Sequence, residues 1–266
     1  LGVNKIGTTQ RGIGPCYIDK IGRNGIRIGD LLDRERFKDK LTWNVGQKNA
    51  ELIRYGKKPF DLEELYNKYL ELSKKIEFRI VDGVSLLNEA IDNNKLVLFE
   101  GAQALMLDID YGTYPYVTSS SPTTGGVCVG SGVPPKKINR VLGVMKAYTT
   151  RVGEGPFPTE LDNELGEKIR QIGHEFGATT GRPRRCGWLD LVIGRYATYI
   201  DGLTDIVITK IDVLSGLEKI KVAVAYEIDG KTYNSYPGNL RKSKKVNIVY
   251  KELDGWNEDI TGIKKY

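Results

Sequence analysis

The sequence predicts an α/β fold: a mainly parallel central sheet with flanking helices and a small β-hairpin, in one domain spanning residues 1–266. Three observations predict it. Short, continuously apolar runs recur along the chain, and each ends in a loop rich in glycine, hydroxyls or charge. Segments of helical period separate these runs, the alternation expected of strands joined by crossover helices. Near the end, two strand-like stretches flank Asp229-Gly230, the residue pair of a tight hairpin turn. A chain of 266 residues, 40% hydrophobic and 28% charged, is long enough to bury a substantial core.

In chain order, residues 37–54 and 61–78 read as helices. In the second, Leu62, Leu65, Tyr69, Leu72 and Ile76 recur at three- and four-residue steps, which predicts one buried face. A third helix runs from Val84 to Ile91 and stops at Asp92-Asn93-Asn94. Lys95 to Phe99 then reads as a strand buried on both faces, ending in Glu100-Gly101. Val141 to Tyr148 repeats the theme and ends in Thr149-Thr150-Arg151-Val152-Gly153. Asp205 to Thr209 does so again and ends in Lys210-Ile211-Asp212. Between these last two strands, Leu189, Val192, Ile193, Tyr196, Ala197 and Ile200 follow helical period, closed by Gly202. Val222 to Ile228 and Lys231 to Tyr233 form the hairpin. Ligands of open parallel sheets bind outside the carboxyl ends of the strands, so the three polar loops are expected to converge on one composite site.

Composition narrows the function classes. The formal net charge is +6 with a sequence pI near 9.0, which suits small phosphorylated ligands as well as nucleic acid. The lysines are dispersed rather than massed with stacking aromatics, and Lys242 to Lys245 reads as a solvated loop, so nucleic-acid binding is not expected. No apolar run is long enough to span a bilayer. Cys16, Cys128 and Cys186 are distant and form no Cys-x-x-Cys pair, which argues against a disulfide framework or zinc site and for a reducing cytoplasm. The lone histidine, His174, has no partner at a catalytic spacing and reads as a surface or supporting residue. The chain opens on Leu1 rather than Met, as an interior or processed piece would.

The densest chemistry lies in Gly177 to Trp188. Two threonine hydroxyls, Thr179 and Thr180, stand between glycines, and Arg182, Arg184 and Arg185 add forked donors suited to carboxylate or phosphate. Asp212, held just after a strand, can accept two hydrogen bonds from the N1–H and exocyclic amine of guanine; adenine cannot supply them. Such a mismatch costs about 1–3 kcal/mol per lost bond when buried. Lys210-Ile211-Asp212 is similar to the Asn-Lys-x-Asp of guanine nucleotide-binding P-loop proteins. Gln103, in Gly101-Ala102-Gln103-Ala104, offers an amide to a purine edge. Gly112 to Ser120, containing Thr118, and Gly7 to Pro15, containing Thr9 and followed by Lys20 and Arg23, are hydroxyl–glycine loops suited to phosphate. Asp108 and Asp110 read as a solvated Asp-x-Asp turn rather than a metal or acid–base pair.

These segments together resemble adenylosuccinate synthetase. The matching stretches are Gly7-Thr8-Thr9-x-Arg11-Gly12-Ile13-Gly14-Pro15-x-Tyr17 with Lys20 and Arg23, Phe99 to Gln103, Gly112 to Ser120, Gly155 to Leu161, Gly177 to Leu189 and Thr209 to Asp212. The resemblance implies a P-loop NTPase-like catalytic domain. It also implies GTP-dependent joining of IMP and L-aspartate to adenylosuccinate, with magnesium required, in a cytoplasmic homodimer. The γ-phosphoryl group would pass to O6 of IMP, and the aspartate amine would then displace it. Carried over by position, Thr9 and Thr118 would contact the IMP phosphate, and Arg23 the IMP phosphate of the other subunit. Gln103 would meet the base near O6. Thr179 and Thr180, with Ala178 and Gly181 in the same loop, would hold aspartate; Arg182 would bridge aspartate and ribose, and Arg184 aspartate and GTP. Lys210, Ile211 and Asp212 would read guanine, and Lys20 would sit in the active site.

The family's Gly-Asp-Glu-Gly-Lys-Gly-Lys phosphate loop, its catalytic histidine and its last Ser-x-Gly-Pro loop have no counterpart in the 266 residues. The expectation is therefore a domain truncated at both ends, with the magnesium ligands outside it, that does not catalyse the reaction alone. The alternative reading is a non-catalytic guanine nucleotide-binding module.

Overall fold

The computed structural model describes residues 10–177, 181–238, 240 and 245–263. The backbone gathers into two compact units, Gly12–Leu98 and a larger one built on Phe99–Tyr266.

The smaller unit is helical. Helix α1 (Ile13–Ile21) starts where the sequence suggested only a loop: Gly12 takes a left-handed φ of 75°, and Pro15 sits in the first turn, where its missing N–H costs no intrahelical bond. Helices α2 (Arg34–Arg54), α3 (Leu62–Lys74) and α4 (Gly83–Asp92) each begin at an aspartate, Asp33, Asp61 and Asp82, whose carboxylate accepts a backbone N–H of the first turn. Phe37, Leu41 and Val45 of α2 form the core with Leu62, Leu65, Tyr66 and Leu70, and the Phe37 and Tyr66 rings stack at 5.7 Å. The face of α3 is thus rotated from the expected one. Tyr69, Leu72 and Ile76 are exposed, while Tyr66 and Leu70 turn inward, because packing on α2 selects among the apolar positions.

The larger unit has the expected parallel pair. Strand β1 (Leu142–Lys146) and strand β4 (Asp205–Thr209) run parallel with Leu142 opposite Asp205 and Lys146 opposite Thr209. Arg140 forks onto Asp205 at 2.7 and 2.8 Å where the pair begins. The apolar run 141–148 is not one strand. Ala147 N–H donates to Thr209 O, and the chain then enters a second sheet as β2 (Tyr148–Arg151).

That second sheet has five strands. Strand β2 pairs antiparallel with β3 (Arg185–Asp190), which runs parallel to β5 (Lys219–Ile228); β5 then carries both β6 (Lys231–Tyr233) and β7 (Asn247–Asp254) antiparallel. The β5–β6 hairpin turns through Asp229 and Gly230, both at positive φ, as the residue pair demands. Helices α5 (Thr124–Ser131), α6 (Glu164–Ile172) and α7 (Leu191–Asp201) accompany the sheets, α7 ending on left-handed Gly202. Tyr148, Ile169, Cys186, Trp188, Leu214 and Ile220 share the main core.

Lys95 to Phe99 is a correction. It forms no strand, and Leu96 and Leu98 are exposed, because no neighbouring ladder among the described residues satisfies its backbone. The end of the arginine-rich stretch Gly177 to Trp188 is a strand: in β3, Cys186 and Trp188 lie in the core and Gly187 packs where a Cβ would lie 2.4 Å from Thr159 O. No helix among the described residues is long and apolar enough to cross a membrane.

Candidate active site

Helix α6 aims the site. Asn163 caps its start, accepting from Gly166 N, and it ends at buried Gly173; His174 follows with a left-handed φ of 52°. That reversal sends Glu175 inward to 1% exposure while His174 stays exposed, as expected of it. Beyond, the chain folds back on itself. Arg184 N–H donates to Glu175 O, Phe176 bridges Pro183, and Gly177 N–H donates to Arg182 O at 2.8 Å. The mouth of the threonine–arginine loop is therefore pinned. Ala178, Thr179 and Thr180 lie outside the described residues, as does Thr9.

Glu175 collects donors from three segments. Lys146, the last residue of β1, reaches its two oxygens at 2.8 and 2.7 Å; the Tyr148 hydroxyl donates from the start of β2; Arg184 Nη1 donates at 2.6 Å. Burial alone would raise the Glu175 carboxyl, but these three donors outweigh it and hold the group below the usual carboxylate range. Burial pushes the Lys146 ammonium down, against the pull of Glu175, and pushes the Tyr148 phenol up. Two cations share one carboxylate, so the cluster keeps a positive charge suited to an anionic ligand.

The exit of β4 meets the same place. Lys210 takes a left-handed φ of 60° and donates from Nζ to Gly173 O at 3.1 Å, two residues before Glu175. Ile211 and Asp212 are exposed on a 3₁₀ turn anchored by buried Val213 and Leu214. Asp212 follows two residues after Lys210 on that turn, and its charge is the smallest of the influences that raise the Tyr148 phenol. Arg184 and Lys210 thus both bond to the short segment 173–175 beside the exit of β4.

The hydroxyl loop is held at the other end of β2. Arg151 Nη2 donates to Thr113 Oγ1 at 2.8 Å and to Tyr116 O at 3.0 Å, and Thr118 N–H donates to Leu107 O. Three residue steps of β2 separate Tyr148 from Arg151, about 10 Å at the usual strand rise. Gln103 is exposed and left-handed at φ 66°, just before the 3₁₀ turn Leu105–Leu107. In the helical unit, Lys20 lies exposed in the last turn of α1 with its ammonium 5.6 Å from the Tyr17 ring centroid, and Arg23 is exposed with φ 63°. Arg23, Gln103 and Lys210 are three of seven non-glycine residues with positive φ among the described residues, a costly backbone state that concentrates at functional sites. Exposed Arg182 and Gly181 close the threonine loop.

Two residues depart from the sequence reading. Arg185 is tied internally, donating to Glu160 and to the carbonyls of Gly153 and Gly155, so it does not face a ligand with Arg184. Asp108 is fully buried, not solvated; its Oδ1 accepts from Asp110 N and Tyr111 N and shapes the turn. Sequence reasoning missed Glu175 altogether. The inward side of a left-handed turn leaves no periodic trace.

The profile of the family described as adenylosuccinate synthetase matches residues 1–266. The chain belongs to the adenylosuccinate synthetase family. A Fusobacterium nucleatum adenylosuccinate synthetase is 64% identical over 263 residues, covering 98% of this chain and 62% of the relative. The Listeria monocytogenes serovar 1/2a adenylosuccinate synthetase is 56% identical over 263 residues, with 98% and 61% covered. Among solved structures, the fully ligated adenylosuccinate synthetase of Plasmodium falciparum superposes with a TM-score of 0.87 at 46% identity, over 96% of this chain and 61% of that one. The chain therefore spans about three-fifths of the length of the adenylosuccinate synthetases it matches. The α/β fold expected from the sequence agrees with this kinship.

Proposed function

We propose that this chain carries the aspartate- and guanine-facing parts of an enzyme that joins IMP and L-aspartate at the cost of GTP. The observation that supports it best is that one short segment beside the carboxyl ends of parallel β1 and β4 bonds both Arg184, through Glu175, and Lys210, through Gly173 O. Family membership supports the following reaction for the whole enzyme. The γ-phosphoryl group leaves GTP for O6 of IMP, releasing GDP; the aspartate nitrogen then bonds to C6 and phosphate departs with the oxygen. Positioning and charge stabilisation supply most of the catalysis in such transfers.

In this reading Thr179, Thr180, Ala178, Gly181 and Arg182 hold aspartate, and Arg184 lies between aspartate and GTP. Lys210, Ile211 and Asp212 read guanine, Gln103 meets the purine edge, and Thr9 and Thr118 meet the IMP phosphate. Lys20 serves as an active-site residue, and exposed Arg23 reaches the site of a second copy, making a homodimer the active form. A cytoplasmic setting suits the substrates. Magnesium enters only by kinship. Among the described residues no group of three or more His, Cys, Asp or Glu could hold a metal ion, and no step here passes through magnesium.

The test is steady-state ligation of IMP, GTP and aspartate by the complete gene product. Arg182→Ala should abolish aspartate-dependent turnover. Asp212→Asn should cut the preference for guanine over adenine nucleotides by about tenfold or more, the worth of the lost charged hydrogen bonds. Unchanged kinetics in both variants would defeat the assignments.

A further inference from the structure

Glu175 does more than fill a hole. It is a buried carboxylate serving three donors on three chain segments, and no part of the reading above gives it a role. Its backbone carbonyl also accepts the Arg184 N–H, the first rung below the threonine–arginine loop. Two residues earlier, Gly173 O receives Lys210 from the guanine-facing turn. One short segment, 173–175, is therefore bonded on one side to the aspartate-facing arginine and on the other to the guanine-facing lysine.

We propose that Glu175 is a positioning residue that fixes the Arg184 guanidinium and couples the aspartate loop to the guanine-facing turn. This rests on the function proposed above. The physical argument is conformational. An arginine at the edge of a site has several rotamers, and aspartate binding must select one of them. A buried carboxylate, itself held by Lys146 and Tyr148, makes that selection before the ligand arrives. Because Lys146 and Arg184 both face Glu175, the carboxylate also cancels the repulsion between them that would otherwise swing Arg184 outward.

The test uses Glu175→Gln in the complete gene product. Glutamine keeps the shape and one acceptor but removes the charge. The Michaelis constant for aspartate should rise about tenfold, the worth of one charged hydrogen bond, while that for IMP stays within about twofold. The Glu175→Gln, Arg184→Gln double variant should be no worse for aspartate than Arg184→Gln alone, since both changes remove the same positioned group. A uniform fall in kcat with every Michaelis constant unchanged would mean a merely structural residue, and would overturn the proposal. So would additive losses in the double variant. If Glu175→Gln does not fold, Tyr148→Phe removes one of the donors that hold the carboxylate. It should raise the aspartate constant in the same direction, and no change there overturns the proposal. Absence of ligation by the wild type would instead strike down the proposed function, and this inference with it.

Discussion

Cys186 lies in strand β3 at 1% exposure, and burial pushes its thiol up to about 11. Cys16, in the helical unit, is exposed. Only the thiolate attacks alkylating reagents, so at pH 8 Cys16 should be modified well before Cys186 in the native protein. Site-resolved mass spectrometry after timed iodoacetamide treatment checks this, and early labelling of Cys186 would contradict the packing of β2 on β3. The arginines show the same dependence on surroundings. Arg182, Arg184 and Arg185 are alike in sequence, yet Arg184 turns to Glu175, Arg185 is bound to Glu160, and Arg182 is exposed. Residue type is suited to an anion site. Which partner each arginine takes depends on acceptors contributed by Glu160 and Glu175, at sequence distances with no regular spacing.

At the scale of elements, the junction of β3 and α7 depends on one carboxylate. Asp190 accepts from Val192 N at 3.0 Å and Ile193 N at 3.2 Å, and the Tyr226 hydroxyl of β5 donates to its other oxygen. Asp190→Ala removes the cap and leaves a buried phenol without a partner, so we expect a loss of about 2–4 kcal/mol. Tyr226→Phe should cost about 1 kcal/mol, since the cap survives it. Urea unfolding of both variants measures the difference, and equal losses would refute the cap's share. Elements of clear period were legible: α2, α4, α7, β4 and the β5–β6 hairpin stand close to where the sequence put them. Helix α6 and strand β7 were not read, and β3 was hidden because arginine and glycine interrupt its alternation.

For the molecule as a whole, carboxylates link folding to pH: Glu175, Asp30 and Asp205 are among those held low, whereas burial pushes Asp190 up. Burial opposes ionisation of Glu175 and Asp30, yet both sit below their usual range because of Lys146, Tyr148 and Arg184 in one case and Lys40, Arg27 N and Arg36 in the other. Asp205 is drawn down to about 2 by Arg140. A carboxyl that titrates lower when folded stabilises the fold above its unfolded value, near 4, and that contribution is lost as pH falls through the folded value. The melting temperature should therefore hold steady from pH 7 to about 5 and drop steeply below about 4. Glu175→Gln should flatten the acid limb, and an unaltered limb would show that this carboxylate is not ionised in the fold.

The sequence by itself determined the α/β class, the place of β4 and its polar exit, and the residue types suited to anions and guanine, because apolar period and short-range motif are local properties. Tertiary structure alone decided that Lys95–Phe99 forms no strand with the described residues, that β3 is a strand, and that Glu175 gathers Lys146, Tyr148 and Arg184. Pairing and burial depend on partners distant in the chain, and spacing along the sequence does not encode where those partners meet.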